Sequence, residues 1–353
     1  MDAVDFKIAC QNVFRKNPVV IVGTGLSVSM KIPGMKELQA HLIESLPSII
    51  KNGLLDEWQT CTESIKSHGL EAGLSKVQVS TELLTHIVNI SADYINKFDA
   101  TVRKEIFCSP TQSFPFSKLL AFLFKGLPPT TSAVNVITPN YDHLVEYACD
   151  IAKIECINGF SGYAVGTFNE GELKTDYYTP YIRAERQRSV RDFKMHQSIR
   201  LFKPHGSLHW QKLGDHVFQH SELFPESKRI LITPGLTKFE HSLTDPVMNS
   251  IRESANQCLR NATAAIIIGY GFNDSHLQTV LNQRISEGME CLIITHTLSE
   301  NAKALISKNN RLIGIEATGE KDKESLCYAN DVSFTISEQL WDLKVFISNI
   351  LGL

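Results

Sequence analysis

Short apolar runs that end in glycine or in polar residues are the main pattern of the chain. Most are rich in β-branched side chains, and they occupy residues 19–22, 133–137, 230–232, 265–268 and 291–294. Other segments carry apolar positions at helical spacing, namely 141–152, 241–259 and 274–285. Strands buried on both faces of a parallel sheet have this short apolar pattern, and amphipathic helices cover them. The alternation predicts an α/β fold with a Rossmann-like, doubly wound and mainly parallel sheet.

Four further regions depart from this alternation. Residues 36–125 are rich in helix formers and show no strand pattern, which predicts a helical insertion subdomain between the first two strands. Residues 158–200 carry no clear periodicity and are expected to form an irregular loop region, either a long loop or a small subdomain over the edge of the sheet. Residues 337–353 resemble a closing C-terminal helix. Residues 1–18 mix acids with apolar residues, so they predict an amphipathic helix and not a signal peptide.

Composition changes this picture mainly by exclusion. The 353 residues are 43% hydrophobic and carry a net charge of −3, so neither direct nucleic-acid binding nor membrane attachment is expected. No apolar stretch approaches the roughly 18–20 residues that a membrane-spanning helix needs. The eight cysteines are scattered without C-x-x-C spacing, which favours reduced thiols and a cytoplasmic location.

Two glycine-rich turns follow predicted strands. Residues 23–27 read GTGLS, and residues 269–274 read GYGFND. Glycines let the backbone approach a phosphate, and Asn273 and Asp274 have groups that bond ribose hydroxyls. No Gly-Lys-Ser/Thr follows the first turn, so a nucleoside-triphosphate P-loop is excluded. A tight strand-to-helix turn and a helix N-cap stay open as alternatives.

Two polar motifs complete the candidate chemistry. Residues 138–142 read TPNYD at the end of the second strand, where open α/β sheets bind ligands, although the same residues suit a turn or a helix cap. His205 lies between proline and glycine and is a candidate general base or a packed loop histidine. His209, His216 and His220 follow it without helical metal-ligand spacing, so no metal is expected.

The four pieces, taken in order, resemble the sirtuin superfamily. Residues 23–33 look like the sirtuin loop G-A-G-x-S followed by I-P, residues 138–142 look like T-x-N-x-D, His205 and Gly206 look like the catalytic H-G pair, and residues 269–271 look like the late glycine loop. The resemblance spans about residues 19–294 and implies a single sirtuin-like domain over 1–353. The NYD and GYGFND variants look more like the branch of bacterial antiphage effectors than like the deacylases.

Two departures bear on the expected reaction. Only Cys258 lies between His205 and Gly269, so the four-cysteine zinc ribbon of the deacylases is absent, and residues 34–36 read GMK where sirtuins have D-F-R. The resemblance therefore implies NAD+ as substrate and an NAD+ glycohydrolase that releases nicotinamide and ADP-ribose, acting in antiphage abortive infection. Homo-oligomers and a HerA-like ATPase partner are further implications of this branch.

The same resemblance assigns roles to residues. Asn140 would orient the ribose hydroxyls and the attacking water, Asp142 would lie near the nicotinamide, and His205 would act as general base or as the partner of a ribose hydroxyl. The expected nucleotide-binding residues are Gly23, Thr24, Gly25, Ser27, Thr138, Gly269, Tyr270, Gly271, Asn273 and Asp274. A non-catalytic NAD or ADP-ribose sensor and an NAD-dependent protein deacylase stay open as alternatives.

Overall fold

A computed structural model of the protein describes residues 2–108, 114–185, 188–232, 245–319 and 323–353. Within them, the helices are α1 (Ala3–Phe14), α2 (Thr24–Ser29), α3 (Met35–Ser45), α4 (Asn52–His68), α5 (Leu70–Ser75), α6 (Thr81–Cys108), α7 (Pro115–Lys125), α8 (Leu144–Ala152), α9 (Glu170–Lys174), α10 (Pro246–Asn261), α11 (Ser275–Ser286), α12 (Glu300–Ile306) and α13 (Leu343–Phe346). The strands are β1 (Val19–Val22), β2 (Ala133–Ile137), β3 (Cys156–Ile157), β4 (Phe160–Ser161), β5 (Gly166–Phe168), β6 (Tyr178–Glu185), β7 (Arg188–Met195), β8 (Ser198–Phe202), β9 (Gly206–Leu213), β10 (His216–Gln219), β11 (Lys228–Leu231), β12 (Ala264–Ile268), β13 (Glu290–Ile294), β14 (Leu312–Ala317), β15 (Ser325–Ala329) and β16 (Val332–Ile336).

The main sheet has nine strands in the order β16-β15-β14-β13-β12-β1-β2-β8-β3. All pairs from β14 to β3 are parallel, and β15 and β16 add an antiparallel edge. From β1 the chain continues to β2 and β8 on one side, whereas β12, β13 and β14 build the other side. This order confirms the predicted doubly wound, mainly parallel α/β fold. It also creates a switch point between β1 and β12, and ligands of such sheets bind at the carboxyl ends of the strands there.

Apolar side chains on both faces of the sheet hold the helices against it. Val20 and Val22 of β1 belong to the core cluster that also contains α1, α3, α6 and α7, while Val19 and Ile21 belong to the cluster under α10 and α11. Successive strand residues point to opposite faces, so one run of four apolar residues supplies both cores.

Helices α3 to α7 fill the chain between β1 and β2, and no strand occurs among the described residues of this stretch. Their buried residues, such as Leu42 and Leu83, join the same core cluster as Val134 of β2. The helical stretch therefore packs directly on the sheet and shares its core.

Two expectations about strands need correction. The run at 230–232 contributes to β11, which pairs antiparallel with β9 in a separate five-stranded sheet of order β11-β9-β10-β5-β4. Three apolar residues are too few to distinguish a parallel core strand from an antiparallel strand with one exposed face. Residues 158–200 are not an irregular loop: they contain short strands, the β6–β7 hairpin and most of β8. Polar residues in these strands, including Arg200 in β8, mask the alternation.

The terminal segments are largely as expected. Helix α1 confirms the amphipathic N-terminal helix, whereas residues 337–353 are helical only from Leu343, where α13 continues into a π-helical turn, Ile347–Leu351. Residues 241–244 of the helix predicted at 241–259 lie outside the described residues. No helix in the described part of the chain is long and apolar enough to cross a membrane.

Candidate functional site

A cavity of about 490 Å³ opens at the carboxyl ends of β1, β2 and β12. The predicted residues that line it are Thr24, Gly25, Ser27, Asn140, Asp142, His205, Gly269, Tyr270, Gly271, Asn273 and Asp274. Gly23 and Thr138 do not line the cavity. The switch point thus brings together all four sequence motifs, which are up to about 250 residues apart along the chain.

The two glycine-rich turns pack backbone against backbone. A Cβ atom at Gly23 would lie 2.4 Å from the carbonyl oxygen of Gly269, and one at Gly25 would lie 2.6 Å from the Cα of Gly269. The Gly23 and Gly25 amides donate to the carbonyls of Ile268 and Gly269 at 2.8 and 2.9 Å. These glycines therefore serve the close approach of the two turns, and their amides bond to carbonyls within the protein.

Asn140 is held in one orientation. Its Nδ2 donates to the carbonyl of Gly23 and to Oγ of Ser27, both at 2.9 Å. A carbonyl can only accept, so the amide nitrogen must face Gly23. No group of the described residues donates to Oδ1 of Asn140, so this oxygen is the acceptor that the side chain offers to a ligand.

The side chains of Thr138 and Asp142 make hydrogen bonds that hold the loop carrying Asn140. The Thr138 hydroxyl donates to the carbonyl of Val22 at 2.8 Å and accepts from the amide of Asn140. One oxygen of Asp142 accepts from Ser27 Oγ at 2.5 Å and the other from the amide of Leu144 at 3.2 Å. Burial raises the pKa of Asp142, although the nearby Lys203 ammonium and the Ser27 hydroxyl act in the opposite direction. Both residues therefore fix the TPNYD loop.

His205 enters the cavity from the other side. Its Nε2 lies 3.1 Å from Oδ2 of Asp274, which follows the second glycine-rich turn. The next residue, Gly206, has φ of +89°, and a Cβ there would lie 2.1 Å from the carbonyl oxygen of Ile230. Glycine is therefore required after His205 so that the chain can turn directly into β9.

The helical stretch adds lining residues that the sequence motifs do not contain. Glu71 of α5 lines the same cavity, as do Lys36 and Glu37 at the start of α3. Burial, and then the charge of Asp274, raises the pKa of Glu71, while His205 lowers it. Among the lining side chains, four carboxylates (Glu37, Glu71, Asp142 and Asp274) face one lysine and one histidine. Acidic side chains therefore outnumber basic ones in the described lining.

The two tyrosines of the cavity stay protonated. Burial raises the pKa of Tyr141 and of Tyr270, and the carboxylates of Glu71 and Asp274 raise both further. The Tyr141 hydroxyl donates to the carbonyl of Ile232. The remaining predicted residue, Asn273, is exposed at the rim and accepts from Asn301 Nδ2 at 3.2 Å. The tyrosines therefore supply neutral walls, and the rim stays polar.

The histidines that follow His205 within the described residues do not line the cavity with it. His209 lies in β9 and stacks on His143 with ring centroids 3.9 Å apart, and His216 begins β10. Within the described ranges, no three His, Cys, Asp or Glu side chains form a group that could hold a metal ion.

Known proteins of one family are similar to this chain. The family model of the SIR2-like domain matches residues 134–313, just over half of the chain. No curated protein matches the chain. A solved structure described as the basis for the mechanism and regulation of Sir2 enzymes is 11% identical, covers 85% of this chain and 89% of its own, and has a TM-score of 0.43. Another, described as the basis of sirtuin substrate affinity, is 13% identical with coverages of 86% and 91% and a TM-score of 0.41.

The matched segment begins in β2 and ends in β14, so it contains the TPNYD loop, His205 and the second glycine-rich turn. The match therefore covers three of the four motifs at the cavity, while the first glycine-rich turn lies before it. Because the model matches more than half of the chain, the protein belongs to the SIR2-like domain family.

Proposed function

We propose that the protein is an NAD+ glycohydrolase, which splits NAD+ into nicotinamide and ADP-ribose. The observation that carries the proposal is the arrangement of Asn140, with its free Oδ1, opposite the His205–Asp274 pair in one cavity. Membership of the SIR2-like family and the resemblance of the motifs to sirtuins support NAD+ as the substrate.

The charges of the cavity support cleavage at the nicotinamide ribose. Breaking the bond between C1′ of the ribose and the nicotinamide nitrogen passes through a state with oxocarbenium character. Carboxylates beside that carbon stabilise the developing positive charge, and Glu71 and Asp274 are the carboxylates beside His205. Lys36 is exposed at the rim and is the lysine of the described lining that can meet the pyrophosphate.

A water molecule completes the reaction. Asn140 Oδ1 accepts a hydrogen bond from the water or from a ribose hydroxyl, and the water oxygen bonds to C1′ as nicotinamide leaves with the bonding electron pair. His205 takes the proton of the water, and Asp274 orients the imidazole and stabilises its charged form, as the carboxylate does in other His–Asp pairs. The products are neutral nicotinamide, ADP-ribose and one proton.

The test is release of nicotinamide and ADP-ribose from NAD+ by the purified protein. Asn140→Ala is expected to lower the rate at least about 100-fold because the acceptor is lost. His205→Ala is expected to lower it about 100- to 10,000-fold because the general base is lost. His216→Ala, an exposed histidine outside the cavity, should leave the rate unchanged.

Other outcomes would point to the alternatives. Unchanged turnover in folded Asn140→Ala and His205→Ala would remove the assigned roles. NAD+ consumption only with an acyl-lysine peptide would indicate a deacylase. Tight ADP-ribose binding without any turnover would indicate a sensor.

The proposal extends to a biological role. The NYD and GYGFND sequences resemble the antiphage branch of the superfamily, so we place the protein as an effector that depletes NAD+ during phage infection. Homo-oligomers and a HerA-like ATPase partner belong to the same proposal. Phage challenge of cells that carry the wild type or Asn140→Ala, with NAD+ measured over time, tests this role.

A further inference from the structure

His143 lies at the junction of three elements. It directly follows the TPNYD loop and precedes α8, and its side chain is only 7% exposed. The loop before it carries Asn140, β9 beside it follows His205, and α6 approaches from the helical stretch. No role in the proposed reaction has so far been given to this residue.

Asp99 of α6 anchors the histidine. Its Oδ1 accepts from the backbone amide of His143 at 2.8 Å, and its Oδ2 lies 3.2 Å from Nδ1 of the ring. The hydroxyl of Tyr147 donates to the same Oδ2 at 2.6 Å. Burial alone would raise the pKa of Asp99, but the hydrogen bonds from His143 and Tyr147 hold it well below its usual range. An ionised carboxylate only accepts, so Nδ1 carries a hydrogen and Nε2 faces the opposite way.

Ser207 lies on that opposite side. Its Oγ is 3.4 Å from Nε2 of His143 and 3.4 Å from the carbonyl oxygen of Tyr141. Ser207 is two residues after His205, so this contact joins the loop of Asn140 to the loop of His205.

Lys203 ties the same two loops together. Its ammonium is fully buried, donates to the carbonyl of Asp142 at 2.5 Å and pairs with Glu146 at 2.7 Å. The amide of Leu208 donates to the carbonyl of Tyr141 at 3.1 Å. His143 therefore belongs to a continuous set of contacts between the two loops and is the member that reaches α6.

Ser207, His143 and Asp99 are the residue types of a hydrolase triad, but their burial excludes that role. Ser207 is 1% exposed, and the ring of His209 covers His143. A nucleophilic serine must meet its substrate, and this hydroxyl meets only protein groups. Ser207, His143 and Asp99 can therefore affect the cavity only by holding the backbone of the two loops in place.

We propose that His143 is a positioning residue, which holds the loop of Asn140 in register with the loop of His205 through its contacts with Asp99 and Ser207. The proposal rests on the glycohydrolase function proposed above. Displacement of a reacting group by about 1 Å can cost about 100-fold in rate, so the contacts matter for turnover without touching the nucleotide.

Two substitutions separate the two ends of the ring. In His143→Asn the amide nitrogen can replace Nδ1 toward Asp99, and in His143→Gln the side-chain amide, through its oxygen or its nitrogen, can replace Nε2 toward Ser207. Each variant keeps one contact and loses the other. We expect both to lower kcat for nicotinamide release about 10- to 100-fold with KM within about twofold of the wild type, because the nucleotide contacts are unchanged. Ser207→Ala should lower kcat less in the His143→Asn background than in the wild-type background, because the contact between Ser207 and His143 is already lost there while the contact between Ser207 and the Tyr141 carbonyl remains.

Ser117→Ala is the matched control. Ser117 is also a buried serine, but its hydroxyl donates only to Phe114 within the same helix end. Its kcat and KM should stay unchanged. Equal kinetic loss in Ser117→Ala and Ser207→Ala, or an unchanged kcat in both His143 variants, would overturn the proposal.

Hydrogen exchange tests positioning without turnover. Peptides that cover residues 138–145 and 203–210 should exchange faster in His143→Asn and Ser207→Ala than in the wild type or Ser117→Ala. The reason is that the hydrogen bond from the Leu208 amide to the Tyr141 carbonyl, which joins the two loops, opens more often in these variants. Unchanged exchange in both peptides would overturn the proposal. If the variants exchange faster than the wild type as expected, but the wild type never releases nicotinamide, the proposed glycohydrolase function is contradicted and the positioning role stays supported.

Discussion

Glu71 is a single side chain with opposite expected effects, since it would favour the proposed reaction and its charge opposes folding. It lines the cavity beside His205 and Asp274, and burial followed by the charge of Asp274 raises its pKa. A raised pKa in the folded protein means that the ionised form is disfavoured there relative to the unfolded chain. The stability that Glu71 contributes is therefore present at low pH and is lost as the pH rises through its folded pKa.

Glu71→Gln is expected to raise the melting temperature relative to the wild type at pH 8, because the variant has no charge to bury. The difference should shrink toward pH 4, where Glu71 is protonated in both states. NAD+ cleavage should fall about 10- to 100-fold because the carboxylate no longer stabilises the cationic ribose. Thermal melts from pH 4 to pH 8 and nicotinamide release measure the two effects.

Glu222→Gln serves as the control for this pair of measurements. Glu222 is exposed and is not among the residues that line the cavity, so its replacement should change neither quantity. A Glu71→Gln variant that is less stable than the wild type at pH 8 would contradict the electrostatic argument.

At the scale of elements, the two glycine-rich turns determine how closely β1 and β12 approach. Gly25 and Gly269 touch through their backbones, and Gly269 has φ of +58°. Any side chain at Gly23 or Gly25 would push the second turn away and widen the cavity floor. The separation of the turns is therefore a property of the glycines and not of a bound phosphate.

Gly25→Ala is expected to lower the free energy of unfolding by about 1–3 kcal/mol, because the added methyl group overlaps fixed backbone atoms. Nicotinamide release should fall with it. Gly53→Ala is the matched control: Gly53 is in α4 with no atom within 4 Å of a new Cβ, so alanine should be neutral or stabilise by up to about 1 kcal/mol. Urea unfolding of the two variants checks this, and equal effects would contradict the contact argument.

The sequence predicted the elements with uninterrupted apolar runs. β1, β2, β12 and β13 are strands of the main sheet as expected, because parallel core strands are apolar on both faces. β8 and β14 were not predicted, since Arg200 interrupts one run and Gly314 and Glu316 interrupt the other. Such residues are accommodated by their neighbours in the fold, and a single sequence does not show those neighbours.

The candidate site was predicted where its residues follow strands. The motif residues meet because the carboxyl ends of parallel strands share one edge, although their roles in catalysis stay predictions. Glu71 and Lys36 could not be predicted, because tertiary packing alone brings α5 and α3 over that edge. The position of His205 between proline and glycine indicated this residue as a candidate, but nothing local distinguished His143 from an ordinary residue at the start of a helix.

At the scale of the whole molecule, the β6–β7 hairpin stands apart from the rest of the fold. Among the strands that the structure describes, its two strands pair with each other and with no third strand. Tyr178, Ile182 and Phe193 are more than half exposed, and the Arg191 guanidinium lies 5.9 Å from the Phe193 ring centroid. The hairpin therefore adds little to the core.

Replacement of residues 178–195 by an Asn-Gly turn should leave the melting temperature within about 2 °C of the wild type. The backbone amide of His196 donates to the carbonyl of Tyr177 at 2.8 Å, so a two-residue turn can join these ends. NAD+ cleavage should also be unchanged, because none of the hairpin residues that the structure describes lines the cavity. A drop of more than about 5 °C, or lost turnover, would show that the hairpin supports the fold or the site.

The contact between the two glycine-rich turns also has a consequence for synthesis. Ribosomes deliver the N-terminal part of a chain first, so β1 and the TPNYD loop emerge long before β12 and the second turn. Until β12 is made, β1 has an unpaired edge and the cavity lacks one wall. A nascent chain that has not yet presented the second turn lacks a complete cavity, so cleavage of the proposed kind can begin only after the residues up to about Asp274 have left the ribosome.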